Sequence, residues 1–256
     1  MSGAVHVLEH HLLVYRRTWR GGLFTTFLAP VLFLLAMGLG LGTFVNQSAA
    51  VTLSGVSYLV FLAPGLLASN AMQTAANESM YPIMSGLMWN KTYQAMVSAP
   101  LAIRDVVLGQ VLWLVVRLLI GAAVFVAVMV LFGATDVARA VLMIPVAIAT
   151  GLAFGVPIAA FTATQRKDSV FAAINRFIIT PLFIFSGVFF PITQLPPLIQ
   201  PIAYATPLWH GVALARAIAL GVFDPVLATV NVTVLTVYIG VGLYAALITF
   251  GRRLEQ

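Results

Sequence analysis

Six long apolar stretches follow one another along the chain, broken by short polar or basic gaps. Each is long enough to cross a bilayer, which takes about 20 residues at about 1.5 Å of helix rise. They predict membrane helices over residues 23–45, 57–78, 106–132, 140–162, 170–190 and 226–250. Pro30, Pro64, Pro145, Pro157 and Pro181 fall inside these spans and predict kinks, which membrane helices tolerate when neighbours or water satisfy the freed carbonyls. Gly151 with Gly155, and Gly242 with Ala246, present small faces where backbones can approach closely. Packing within the chain and a seam between copies both fit such faces, with the first favoured.

Three segments depart from this repeat. Residues 191–225 are apolar, but Pro191, Pro196, Pro197, Pro201 and Pro207 cut their first half, and the rest is too short to cross. They predict short external helices that dip into the membrane or re-enter it, as a lid or as a packed cap. At the N-terminus Val5, Leu8, Leu12, Tyr15 and Trp19 recur at helical spacing, predicting an amphipathic helix at the interface. His6, Glu9 and His10 on that helix lack a third strong metal ligand, so a solvated face is the better reading. Over 86–99, Trp89, Tyr93, Met96 and Val97 share one face opposite Asn90, Lys91 and Gln94, with Pro100 ending the run. A partner-docking helix and an interfacial anchor both fit this pattern.

The second span carries a polar stripe. Asn70, Gln73, Thr74, Asn77, Glu78 and Tyr81 fall on one face at helical spacing, and lipid cannot cover them. They either line a wet cavity or bond a neighbouring helix. Counted from residue 106, Arg117 lies roughly 16 Å inside the third span, near the midplane. No carboxylate is expected at its depth, since Glu78 falls at the inner end of its own span. Backbone carbonyls, stripe side chains, water or an anionic substrate group remain as partners for Arg117. Arg176, closer to the inner boundary, is expected to snorkel or to pair with Glu78.

Composition makes the membrane class firm. Hydrophobic residues are 61% of the 256 and charged residues 8%, with mean hydropathy +1.04. A soluble domain carries about 25% charged residues. The charges also orient the chain. Arg16, Arg17, Arg20, Lys91, Arg104, Arg166, Lys167, Arg252 and Arg253 all fall in alternate gaps or at the chain ends, which places both termini and those gaps in the cytoplasm. The net charge of +6 therefore suits anionic lipid headgroups and not nucleic acid. With no Cys there is no disulfide, iron–sulfur or thiol chemistry. No GxxxxGK followed by Ser or Thr, no HExxH and no GxSxG occurs, so the chain has no P-loop of its own and no cofactor is expected on it.

The runs FLAPGLLASNAMQTAANES (61–79), WNKTYQAMVSAPL (89–101), RDVVLGQVLW (104–113) and PLFIFSGVFFPITQLPPLIQPIAYATPLWH (181–210) together resemble permease subunits of type-2 ABC exporters. The likeness is strongest to nodulation-factor (lipo-oligosaccharide) and daunorubicin-type drug export permeases, and it covers nearly the whole chain. It implies an all-α, six-helix permease of the bacterial inner membrane, paired with a second copy or a related permease. Two copies of a separate ABC ATPase would bind ATP and Mg²⁺. It further implies that Trp89, Lys91, Tyr93 and Met96 lie on a coupling helix toward that ATPase. The substrate would be amphipathic: a lipid-linked oligosaccharide, a glycolipid or a hydrophobic drug. Asn70, Gln73, Glu78 and Arg117 are then candidates for the polar part of its path. A non-transport scaffold, or a lipid-modifying enzyme using Glu78 and Arg117, is the alternative.

Overall fold

A computed structural model describes residues 2–47, 56–99 and 101–255, and these are helical with short connections. Pro100, expected to stop the docking helix, lies outside them. The helices are α1 (Ser2–Phe33), α2 (Gly42–Gln47), α3 (Tyr58–Met84), α4 (Thr92–Ser98), α5 (Ile103–Leu131) and α6 (Val137–Thr164). There follow α7 (Ser169–Ile174), α8 (Thr180–Phe185), α9 (Gln200–Ala205), α10 (Pro207–Leu220) and α11 (Pro225–Leu254). Wider π turns join α1 to α2 (Leu34–Leu41), extend α3 (Ser85–Trp89) and join α7 to α8 (Asn175–Ile179).

Among the described residues, α3 with its π turn, α5, α6 and α11 are long and apolar enough to cross a membrane. Pro30–Phe44 and Ser169–Phe185 are apolar but shorter. Local chemistry sets several ends. The Asp136 carboxylate accepts from Arg139 N at 2.9 Å to start α6, and Asp224 accepts from Val226 N and Leu227 N to start α11. The stretch expected as a fifth span to residue 190 instead ends at Phe185. Pro181 has no N–H to give, the turn before it widens, and the Thr180 hydroxyl donates to the Asn175 carbonyl at 2.8 Å. Gly187 at φ +79° then turns the chain away.

α3 is the centre of the molecule, enclosed by α5, α6 and α10. The small face of α6 makes this possible. A side chain at Gly151 would strike Leu118, and one at Gly155 would strike Leu114 and Ala75, so α3 and α5 both press on that face. Gly242 of α11 meets Pro157 of α6 in the same way. Both small-residue motifs thus serve packing within the chain.

The N-terminal helix differs from the expected one. α1 runs without a break through residue 23, and its first turns lie parallel on α5: Gly3 meets Asp105, Val7 meets Gly109, His11 meets Trp113. The face turned to α5 is therefore Gly3, Val7, His11 and Tyr15, with Val7 fully buried and the others half-buried. Val5, Leu12 and Trp19, expected on the apolar face, are exposed. Gly109 explains the choice: it lets the β-branched Val7 close onto the α5 backbone, leaving the larger residues outward.

α10 is not laid across an outer surface but inserted between α3, α6 and α11. Gly211 abuts Thr150, the buried His210 Nδ1 and Asn231 Oδ1 lie 2.7 Å apart, and Tyr238 donates to the Ala205 carbonyl at 3.0 Å. Tyr238 is 13 residues into α11, so the α9–α10 junction lies about 20 Å along that helix. Two arginines hold the insert. Arg139 donates to Ala219 O at 3.0 Å, where the carbonyl end of α10 favours a cation. Arg216 donates to Phe61 O, Gly187 O and Val188 O, with its guanidinium 3.8 Å from the Phe61 ring centre.

Candidate functional site

The polar stripe of α3 faces a cavity. Asn70, Gln73, Thr74, Asn77 and Glu78 line it with Arg117 and Gly121 of α5, enclosing about 270 Å³. Tyr81 leaves the set: it turns to the Phe171 ring, 5.2 Å between centres. The four residues proposed from sequence for this path, Asn70, Gln73, Glu78 and Arg117, are thus brought together.

Arg117 does have a carboxylate. Its Nε donates to Glu78 Oε1 at 2.8 Å, with both side chains less than a fifth exposed. The sequence-based depths separated them because α5 was counted from residue 106 as if the bilayer began there. At 29 residues α5 is about 43 Å long, well over the roughly 30 Å of a hydrocarbon core, so its first turns need not be immersed. Arg117 then need not lie at the midplane, and it stands level with Glu78. Arg176 is correspondingly not the partner of Glu78; its side chain is exposed.

Tyr15 of α1 completes the surround. Its ring lies 5.0 Å below the Arg117 guanidinium and meets Trp113 edge-on at 5.5 Å. Trp113 in turn stacks on His11 at 5.6 Å and 14°. His11 Nε2 is buried among these rings with no hydrogen-bond partner. Burial, with repulsion from His10, lowers its pKa from 6.5 to about 4, so it is neutral at physiological pH. The part of Tyr15 was not readable from spacing within α1, because it depends on a contact with a different helix 102 residues on.

With its one cation and one anion paired, the cavity carries little net charge but many donors and acceptors: two asparagines, a glutamine and a threonine. Such a lining hydrogen-bonds neutral hydroxyl and amide groups. The ion pair engages Glu78 and Arg117, the charged side chains of the lining.

The docking segment is built in two pieces instead of one helix over 86–99. The π turn ends at Trp89, Lys91 adopts the left-handed conformation (φ +52°), and α4 begins at Thr92. The turn is braced by Asn90 Nδ2 donating to Ser85 Oγ and Gln94 Nε2 donating to Leu87 O. Trp89 is 58% exposed and Lys91 is exposed at the tip, while Met96 is half-buried. Tyr93 faces inward: it is 2% exposed, packs on Phe250, and donates to Gln110 Oε1 at 2.9 Å. Burial raises the pKa of its phenol. Of the four residues expected to meet a partner, Trp89 and Lys91 present themselves, and Tyr93 instead fastens the segment to α5 and α11.

Comparison with known proteins adds a lineage to this geometry. The profile of the "ABC-2 type transporter" family matches residues 5–220. Nodulation protein J of Rhizobium leguminosarum bv. viciae is 31% identical over 253 residues, covering 96% of this chain and 95% of that protein. Its counterpart in R. leguminosarum bv. trifolii is 30% identical over 251 residues, covering 98% and 93%. The inner membrane transport permease YadH of Escherichia coli K12 is 23% identical over 243 residues, covering 94% and 93%.

Proposed function

The chain belongs to the ABC-2 type transporter family, a multi-pass membrane protein family of transport permeases, and we propose that it is the permease subunit of an ATP-driven exporter. In this reading Pro30–Phe44 and Ser169–Phe185 join the four long helices as shorter spans, and both termini lie in the cytoplasm of a bacterial inner membrane. The α9–α10 hairpin re-enters from outside, with α10 covered by α3, α6 and α11 and α9 left more exposed at its outer end.

Two copies of this chain, or this chain and a related permease, would flank a path. Two separate ATPase subunits, binding ATP and Mg²⁺, would dock at Trp89 and Lys91. ATP-driven closure of those subunits then pulls on the π turn and α4, and through Tyr93 and Gln110 on α5, which carries Arg117. The substrate is amphipathic. Its apolar part stays in lipid, while its headgroup meets the amide ladder of α3.

The observation that carries this reading is the 270 Å³ cavity of paired charge and amides set among apolar helices. It favours a neutral, hydroxyl- or amide-rich headgroup, such as that of a glycolipid or lipid-linked oligosaccharide, over a strongly charged one. The test is reconstitution in liposomes together with a candidate ABC ATPase from the same organism. ATP hydrolysis is expected to rise on adding a neutral glycolipid and to stay basal with Asn70→Leu/Gln73→Leu. An isolated chain that never co-purifies with an ATPase would instead favour a membrane scaffold.

A further inference from the structure

The cation at the cavity is held from two sides, and one of the two holds comes from outside the cavity wall. Glu78 takes the Nε of Arg117 from α3. The Tyr15 ring supports the guanidinium from α1 at 5.0 Å, within the range of a cation–π contact. Tyr15 is itself fixed edge-on against Trp113, which is 7% exposed and stacked on His11. The column His11, Trp113, Tyr15, Arg117, Glu78 therefore joins the α1–α5 seam to the cavity.

An arginine without such support redistributes. Its side chain is long, its head is charged at any physiological pH, and a partly exposed carboxylate alone holds it weakly. Once loose, the guanidinium would turn into the cavity and present its donors to whatever enters. The wall would keep its net charge, but its cationic donors would face the ligand instead of being spent on Glu78.

We propose that Tyr15 is a positioning residue that keeps Arg117 on Glu78, and that this contact sets the preference of the cavity for neutral over anionic headgroups. This rests on the reading of the cavity as the headgroup's site. α1 thereby acts on selectivity without touching the substrate. The phenolic hydroxyl is not required, since the ring face does the holding.

The chain is tested in nanodiscs of neutral lipid with two fluorescent probes that share one dodecyl chain, one bearing maltose and the other phosphate. Wild type and Tyr15→Phe are expected to bind the two in the same ratio. Tyr15→Leu is expected to shift the ratio toward the phosphate probe by about five-fold or more. Glu78→Gln is expected to produce a larger shift, because it also removes the cavity's carboxylate, and Tyr15→Leu/Glu78→Gln little beyond Glu78→Gln alone, because the Tyr15 change acts only by freeing the side chain that Glu78→Gln already frees. Unchanged hydrogen-exchange protection of the Val7 to His11 backbone amides in Tyr15→Leu checks that α1 remains docked. An unaltered ratio in Tyr15→Leu, or two shifts that simply add, overturns the role of Tyr15 while leaving the cavity reading intact. No saturable binding of either probe to wild type removes the cavity reading, and the role of Tyr15 with it.

Discussion

Arg117 and Arg216 are both arginines set among apolar helices, and they are held in opposite ways. Arg216 is caged by three backbone carbonyls and the Phe61 ring, and among the described residues it makes no ion pair with a carboxylate. Arg117 makes one ion pair, rests on one ring, and opens onto a polar space. A cation whose donors are spent on backbone is a fastener. One held by side chains on two helices, next to room for a ligand, can change partners. The contrast separates a cation fixed by backbone from one placed to exchange partners, without reference to depth.

The comparison is broken most severely at Arg216. Arg216→Leu leaves Gly187, Val188 and Phe61 without their side-chain donor and frees the hairpin from α3, an expected loss of about 3 kcal/mol. Thermal unfolding in detergent measures it, and export is expected to fall only in step with the folded protein. If export fell while the melting temperature held, Arg216 would belong with Arg117. Arg117→Leu is expected to cost less stability, about 2 kcal/mol, because Glu78 keeps some access to water. Here substrate-stimulated ATP hydrolysis is expected to fall well below what the remaining protein explains. Adding Glu78→Leu is expected to recover stability and not transport, and recovery of both would reduce the pair to packing.

Smaller effects probe the docking segment and the N-terminal seam. Tyr93→Phe removes the bond to Gln110 and is expected to cost about 1 kcal/mol, with ATPase attachment little changed. Lys91→Glu is expected to leave the melt untouched and weaken co-purification of the ATPase about ten-fold, because the residue is exposed at the tip. The last test is pH. Undocked His11 takes up a proton as pH falls past 6.5, whereas docked His11 resists until about 4. Docking of α1 is therefore at full strength above 6.5 and weakens between 6.5 and 4. Trp113 emission follows this change, which His11→Phe is expected to remove.

How far the sequence could be read depended on whether a contact lay within one helix or between two. The stripe from Asn70 to Glu78 was legible because helical periodicity alone puts it on one face. Arg117 was legible as an anomaly, but its partner was not, since joining α3 to α5 required the overhang of α5 that residue counting assigned to the membrane. The buried face of α1 was misjudged for a related reason: apolar residues face lipid as readily as protein, and only Gly109, on another helix, shows that Val7 goes inside. Tyr93 looked like a docking residue because an amphipathic face has two sides, and spacing does not say which one the rest of the chain already covers.

The insertion of α10 has a consequence for how the protein is made. At 14 residues it is too short to enter a bilayer as a span, and it carries His210 and Arg216, whose partners are Asn231 on α11 and carbonyls of α3 and of the turn after α8. The carbonyls that hold Arg216 precede α10 in the chain, whereas Asn231 emerges from the ribosome only after it. The His210–Asn231 contact therefore forms only once α11 is made, so the C-terminal helix completes the packing around α10.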